Sequence, residues 1–267
     1  VPEAMAAALP YGAAAVAVVL LFFPAIYPWT SPDFHAQGFK QLWLDRPFFL
    51  ARAALYLLLW WWFARRILAR SRAQDADGNP AHTRANARLS AAFLVVFAIT
   101  FWLASFDWMM SLEPHWVSTI FGVYSFAGLF QAGLAMIILL VLWARRGPLA
   151  GFVNAEHLHD LGKLLFAFST FWMYIWFSQY MLIWYANIPE EAAYYVRRLE
   201  GFWGPLFVVN MLLNWAVPFA ALLSRAAKRS PAWLGRVAVV VLVGRWLDLH
   251  IMVNAARGMP PALGPAE

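Results

Sequence analysis

The residues best suited to chemistry are the few ionisable ones inside long apolar runs. The segment Gly244-Arg245-Trp246-Leu247-Asp248-Leu249-His250 places Arg245 and Asp248 three residues apart. On a helix they share a face and can neutralise each other, while His250 points about 200° from Asp248 toward another neighbour. Charge inside a membrane span is costly to retain and marks an ion route or a packing device. Asp248 is the best single candidate for a group that takes up and gives back a proton. A second set, Asp160, Lys163, Thr170, Tyr174 and Ser178, falls within an arc of about 80° and rises about 27 Å along a helix. Such a stripe could line a file of water and side chains that moves protons, or could join two helices. Asp160 and Lys163 could pair at its mouth. A third set, Asp107, Glu113 and His115, packs two carboxylates and an imidazole into nine residues that hold no Lys or Arg. It suits proton release, quinol binding or a capping loop, and Gln179 and Tyr180 could join it from the same side.

Seven stretches must position these groups: 7–28, 47–67, 89–109, 117–143, 162–186, 203–224 and 233–253. Each reaches the ~20 apolar residues that a helix needs to cross ~30 Å of hydrocarbon. Backbone groups without water must bond within their own segment, so these are helices. The composition agrees: 63% of residues are hydrophobic and 13% charged, against about 25% charged in soluble domains. The fold class expected is all-α, a polytopic transmembrane bundle of about seven helices forming one domain over 1–267, with a polar, turn-rich cytoplasmic loop at 69–88. Pro24 and Pro218 are expected to kink the first and sixth spans. Gly128 and Ala132 form a pair of small residues that lets a neighbouring helix approach. Trp29, Trp108, Trp116, Trp143, Trp184, Trp203 and Trp233 lie near span ends and read as an interfacial belt.

The net charge is +6, and its placement matters more than its sum. Connections after the second, fourth and sixth spans hold most of the Lys and Arg, among them Arg65, Arg66, Arg145, Arg146, Lys228 and Arg229. The opposite side holds Lys40, Arg46, Arg197, Arg198 and Arg257. The excess places the first side in the cytoplasm, and topology explains the basic loops without a nucleic-acid partner.

The chain has no Cys, which excludes disulfides, thiolate-ligated iron–sulfur clusters and CxxCH haem attachment. Of the six His, only His250 lies well inside a span, so a bis-histidine haem between helices is not expected. The lysines are Lys40, Lys163 and Lys228; none lies in the seventh span, which argues against a retinal protein. The opening at Val1 lacks the basic and short apolar regions of a secretory signal peptide. The chain is expected to begin inside a longer protein, and the Pro260–Pro261 tail to be an interior loop.

Three long strings carry a resemblance. Phe106-Asp107-Trp108-Met109-Met110-Ser111-Leu112-Glu113-Pro114-His115-Trp116 with Ser118–Tyr124, His159-Asp160-Leu161-Gly162-Lys163, and Phe177–Glu191 resemble the F subunit of alternative complex III. The Gly244–His250 segment is similar too, although that family often has Tyr where His250 stands. A more distant likeness links the chain to polysulfide-reductase-type (NrfD-like) membrane subunits. The resemblance implies a subunit of a quinol:electron-acceptor oxidoreductase in a bacterial cytoplasmic (inner) membrane. It implies iron–sulfur and haem c subunits as partners, and a sister NrfD-like membrane subunit that carries the better-supported quinol site. No cofactor is implied in this chain itself. The family carries about ten spans, which fits truncation at both ends. The expected role is proton conduction, with Asp160, Lys163 and Tyr174 in the cytoplasmic half, Asp248 and Arg245 in the middle, and Asp107, Glu113 and His115 at the outer mouth. The alternatives are a quinol-binding subunit, a passive anchor and an independent secondary transporter.

Overall fold

The structure is a computed structural model that describes residues 1–258; the Pro260–Pro261 tail lies outside them. The described residues are helical, with no strand among them. Among the described residues, six helices are long and apolar enough to cross a membrane: Pro2–Phe22, Arg46–Asp77, Ala81–Leu112, Phe121–Ala144, Trp203–Ala221 and Pro231–Ala256. The chain is therefore a multi-pass helical membrane protein. The seventh expected span, 162–186, lies within a helix of ample length, but its Trp, Tyr, Ser and Gln lower its mean hydropathy below that of the other six.

The chain divides into two compact units, Val1–Pro114 and a second that begins at His115. The first unit contains α1 (Pro2–Ala6), α2 (Leu9–Phe22), α3 (Phe39–Trp43), α4 (Arg46–Asp77) and α5 (Ala81–Trp108). Pro24 does not kink the first span. The helix ends at Phe22, and Pro24 opens a short 3₁₀ turn, because a proline ring cannot continue the ladder. The 69–88 loop is also shorter than its polarity suggests. Residues 69–77 finish α4 and 81–88 begin α5, leaving Gly78-Asn79-Pro80 as the turn. Polar helix formers stay helical in water; hydropathy marks where the bilayer stops, not where the helix does. Gly78 adopts φ +67°, the left-handed position that ends a helix. Asn79 accepts the Ala81 N–H at 2.9 Å and so opens the next helix.

The second unit contains α6 (Phe121–Ala144), α7 (Ala155–Ala186), α8 (Pro189–Leu199), α9 (Trp203–Met211), a π turn (Leu212–Ala216), α10 (Val217–Ala221), α11 (Arg225–Arg229) and α12 (Pro231–Ala256). Helix α12 packs on α6, α7 and α9, and much of its surface is covered. Asn154 caps α7 by accepting the Glu156 and His157 N–H groups at 3.0 Å. The π turn sits just before Pro218, whose missing N–H and bulk a plain α-helix could not absorb at that point. Gly244 brings α12 close to that turn: a Cβ there would stand 2.9 Å from Asn214 Nδ2.

Several expected surface groups are core. Trp29, Trp116 and Trp203 are buried, Trp108 is half-buried, and only Trp143, Trp184 and Trp233 remain exposed as a belt would be. Lys228 is buried and donates to the carbonyls of Leu222 (2.6 Å) and Leu223 (3.1 Å), where a helix end concentrates negative charge. Arg198 is 1% exposed and donates to the Tyr194 carbonyl at 2.9 Å.

Candidate functional site

The second unit is organised around one carboxylate. Asp248 on α12 is 2% exposed. Its Oδ1 accepts the Tyr124 hydroxyl from α6 at 2.5 Å and the Asn210 amide from α9 at 2.9 Å. Its Oδ2 pairs with Arg245, one turn earlier on α12. Gly128 on α6 leaves room for that guanidinium, and a Cβ there would collide with it. The small residue expected to serve helix contact therefore serves a charge.

The cluster continues inward through amides. Asn214, in the π turn, donates to Asn210 Oδ1 at 2.7 Å. Gln131 on α6 donates to the Asn214 carbonyl at 2.7 Å and to Ser169 Oγ on α7 at 3.1 Å. That carbonyl lies four residues before Pro218, in the stretch where the proline removes a backbone donor, and a side chain from another helix meets it. Gln131, Ser169, Asn210 and Asn214 are each no more than 1% exposed. The bonds among them offset much of the cost of burial, while Gln131 Oε1 and Asn214 Oδ1 meet no partner among the described residues.

Asp248 also borders a small cavity of about 10 Å³, lined by Tyr124, Gln179, Tyr194 and Arg198 and by apolar groups that include Trp176, Phe207 and Ile251. That is about the least volume that holds one water, and its walls are polar enough to bind it. Gln179 thus reaches Asp248's surroundings. Tyr180, its neighbour, instead stacks on Trp176 with ring centres 5.7 Å apart. His250 points elsewhere: its Nδ1 lies 3.0 Å from Asn254 Nδ2 and its ring stacks on Trp246.

The five-residue stripe of α7 faces outward. Asp160, Lys163 and Tyr174 are exposed, Thr170 and Ser178 half-buried, and Thr170 bonds back to the Phe166 carbonyl at 3.1 Å. Asp160 and Lys163 pair at 2.7 Å. The hydrogen bond and charge of Lys163 hold the Asp160 carboxyl below its usual range. Nearby, burial and then the charge of Lys163 hold the His159 imidazole below its ordinary value.

The first unit has its own buried charge. Asp107 is 0% exposed and belongs to the last turn of α5 rather than to an acidic loop. It is not without a cation: Arg52 on α4 meets it through two bonds, Nε–Oδ2 at 3.0 Å and Nη2–Oδ1 at 2.8 Å. Tyr56 adds a third bond at 3.0 Å, and the Arg52 guanidinium lies 4.0 Å from the Trp43 ring centre. This planar two-point match is the strong form of an arginine–carboxylate contact. Glu113 is buried in the same unit; His115 opens the second unit and is exposed.

Arg52, Tyr124, Gln131, Ser169, Asn210 and Asn214 do not figure among the expected site residues. Their signal is in the sequence nonetheless. Arg52 and Gln131 interrupt apolar runs, and Asn210 and Asn214 repeat at four residues on one face of the sixth span. No protein-family model and no curated protein matches the chain.

Proposed function

We propose that this chain is an integral membrane subunit of a bacterial respiratory quinol:electron-acceptor oxidoreductase of the alternative complex III type. In this reading it passes protons through Asp248 and anchors iron–sulfur and haem c subunits beside a sister membrane subunit. The observation that carries the proton role is the placement of Asp248: a buried carboxylate touched by a hydroxyl, an amide and a guanidinium, and bordering a cavity of one water's size.

Each group has a distinct part. Arg245 supplies positive charge beside the carboxylate. The amides of Asn210, Asn214 and Gln131 orient the carboxylate but do not give up protons readily. The hydroxyl of Tyr124 and the cavity toward Tyr194 and Arg198 are the two places where a proton can arrive or leave. The outward stripe of α7 extends this route only where another subunit covers it.

A passive scaffold is the second reading, favoured by the protein donors that meet both Asp248 oxygens. Asp248→Asn separates the two. Purified complex carrying this variant is reconstituted in vesicles, and protons released per electron are measured. Conduction predicts that the ratio falls while the complex still assembles; a scaffold predicts an unchanged ratio.

A further inference from the structure

The first unit contains a larger cavity that the proton reading does not use. It measures about 660 Å³ and is lined by Tyr27, Trp29, Thr30, Ser31, Asp45 and Arg46, among others. Its walls come from the segment between α2 and α4 and from the first residues of α4. Those two helices are candidate spans that end at Phe22 and begin at Arg46, so the cavity lies at the edge of the hydrocarbon, where headgroups sit.

The chemistry of the lining is specific. Arg46 and Asp45 are adjacent and both exposed. One guanidinium nitrogen of Arg46 donates to the Leu21 carbonyl at 3.2 Å. Asp45 caps α4 through Oδ2, which accepts the Phe48 N–H at 3.2 Å. Arg46 has further N–H groups, and Asp45 a second oxygen, to offer a ligand. Trp29 lines the same cavity and is 7% exposed; its Nε1–H is itself buried and meets no acceptor among the described residues. Buried indole N–H groups ordinarily find one. Beside the cavity Leu21, Phe22 and Phe23 present exposed apolar surface. A cavity of this size with one cation and one anion fits a group bearing both charges on an apolar stem.

We propose that this cavity binds the headgroup of a phospholipid with a primary ammonium, phosphatidylethanolamine, its phosphate on Arg46 and its ammonium on Asp45. Leu21, Phe22 and Phe23 would carry the acyl chains.

The test uses the full chain in nanodiscs of phosphatidylcholine containing equal phosphatidylethanolamine and phosphatidylglycerol, with retained lipid read by native mass spectrometry. Phosphatidylethanolamine should be retained about tenfold over the other two, the scale of one charge-assisted hydrogen bond. Arg46→Gln and Asp45→Asn should each remove most of that preference. Asn caps helices as well as Asp, so Asp45→Asn keeps α4 folded, which circular dichroism verifies. Equal retention of the three lipids overturns the proposal. So does retention of phosphatidylglycerol that free inorganic phosphate competes away, since this marks a site for phosphate alone. Unchanged selectivity in Asp45→Asn overturns it as well.

Discussion

Gln131 donates its amide to the Asn214 carbonyl at 2.7 Å, bridging α6 to the π turn four residues before Pro218. The side chain on one helix and the proline on another thus form one structural unit. Gln131→Leu should destabilise the protein by about 1–3 kcal/mol, the cost of a buried acceptor left unpaired. Pro218→Ala restores a backbone donor and should recover part of that loss in the double variant. Thermal unfolding of the two single variants and the double variant in detergent gives the coupling; strict additivity would show that the two residues act apart.

Gly128 and Gly133 lie on the same helix and make opposite predictions. A Cβ at 128 meets the Arg245 guanidinium, which cannot retreat without leaving Asp248. Gly128→Ala should cost about 1–3 kcal/mol, as overpacking does. Open space surrounds the position a Cβ would take at 133, so Gly133→Ala should be neutral or mildly stabilising through helix propensity. Equal melting temperatures for the two variants would refute the placement of Arg245.

The Arg52–Asp107 pair is buried at both ends. Arg52→Leu or Asp107→Leu alone leaves a buried charge without its partner and should cost about 3–5 kcal/mol. The double replacement should recover most of that loss. Denaturant unfolding of the three variants checks this, and a double variant worse than either single one would contradict it.

His159 gives a pH dependence with a definite sign. Its imidazole is held below the ordinary 6.5, first by burial and then by the charge of Lys163. The folded state therefore resists a proton that the unfolded chain accepts. Stability from this group is complete above 6.5 and declines as pH falls below it. His159→Gln should flatten the melting temperature over that acid range. A variant whose profile still follows the parent protein's would remove His159 as the cause.

The helical class and most span positions were legible because apolar length alone sets them. The Arg245–Asp248 pairing was legible too, since a spacing of three residues is a local fact of helix geometry. What surrounds that pair was not. Tyr124 lies 124 residues from Asp248 in sequence and Asn210 lies 38, and no local pattern says which spans become neighbours. Asp107 shows the same limit: its own segment offers no cation, and its partner is 55 residues away on α4. The end of α2, the polar ends of α4 and α5, and the π turn are backbone outcomes that hydropathy does not record. The α7 stripe reads correctly as one face, but periodicity cannot tell an inward face from an outward one.

Helix α4 runs for 32 residues, about 48 Å at 1.5 Å per residue, whereas the hydrocarbon layer takes up only ~30 Å. Its last turns, with the first turns of α5, must therefore stand clear of the lipid as a stiff hairpin ending in Gly78-Asn79-Pro80. A small rigid protein grafted at Asn79 would ride on that stalk as a fiducial, giving electron cryomicroscopy a handle on a protein otherwise hidden in its micelle.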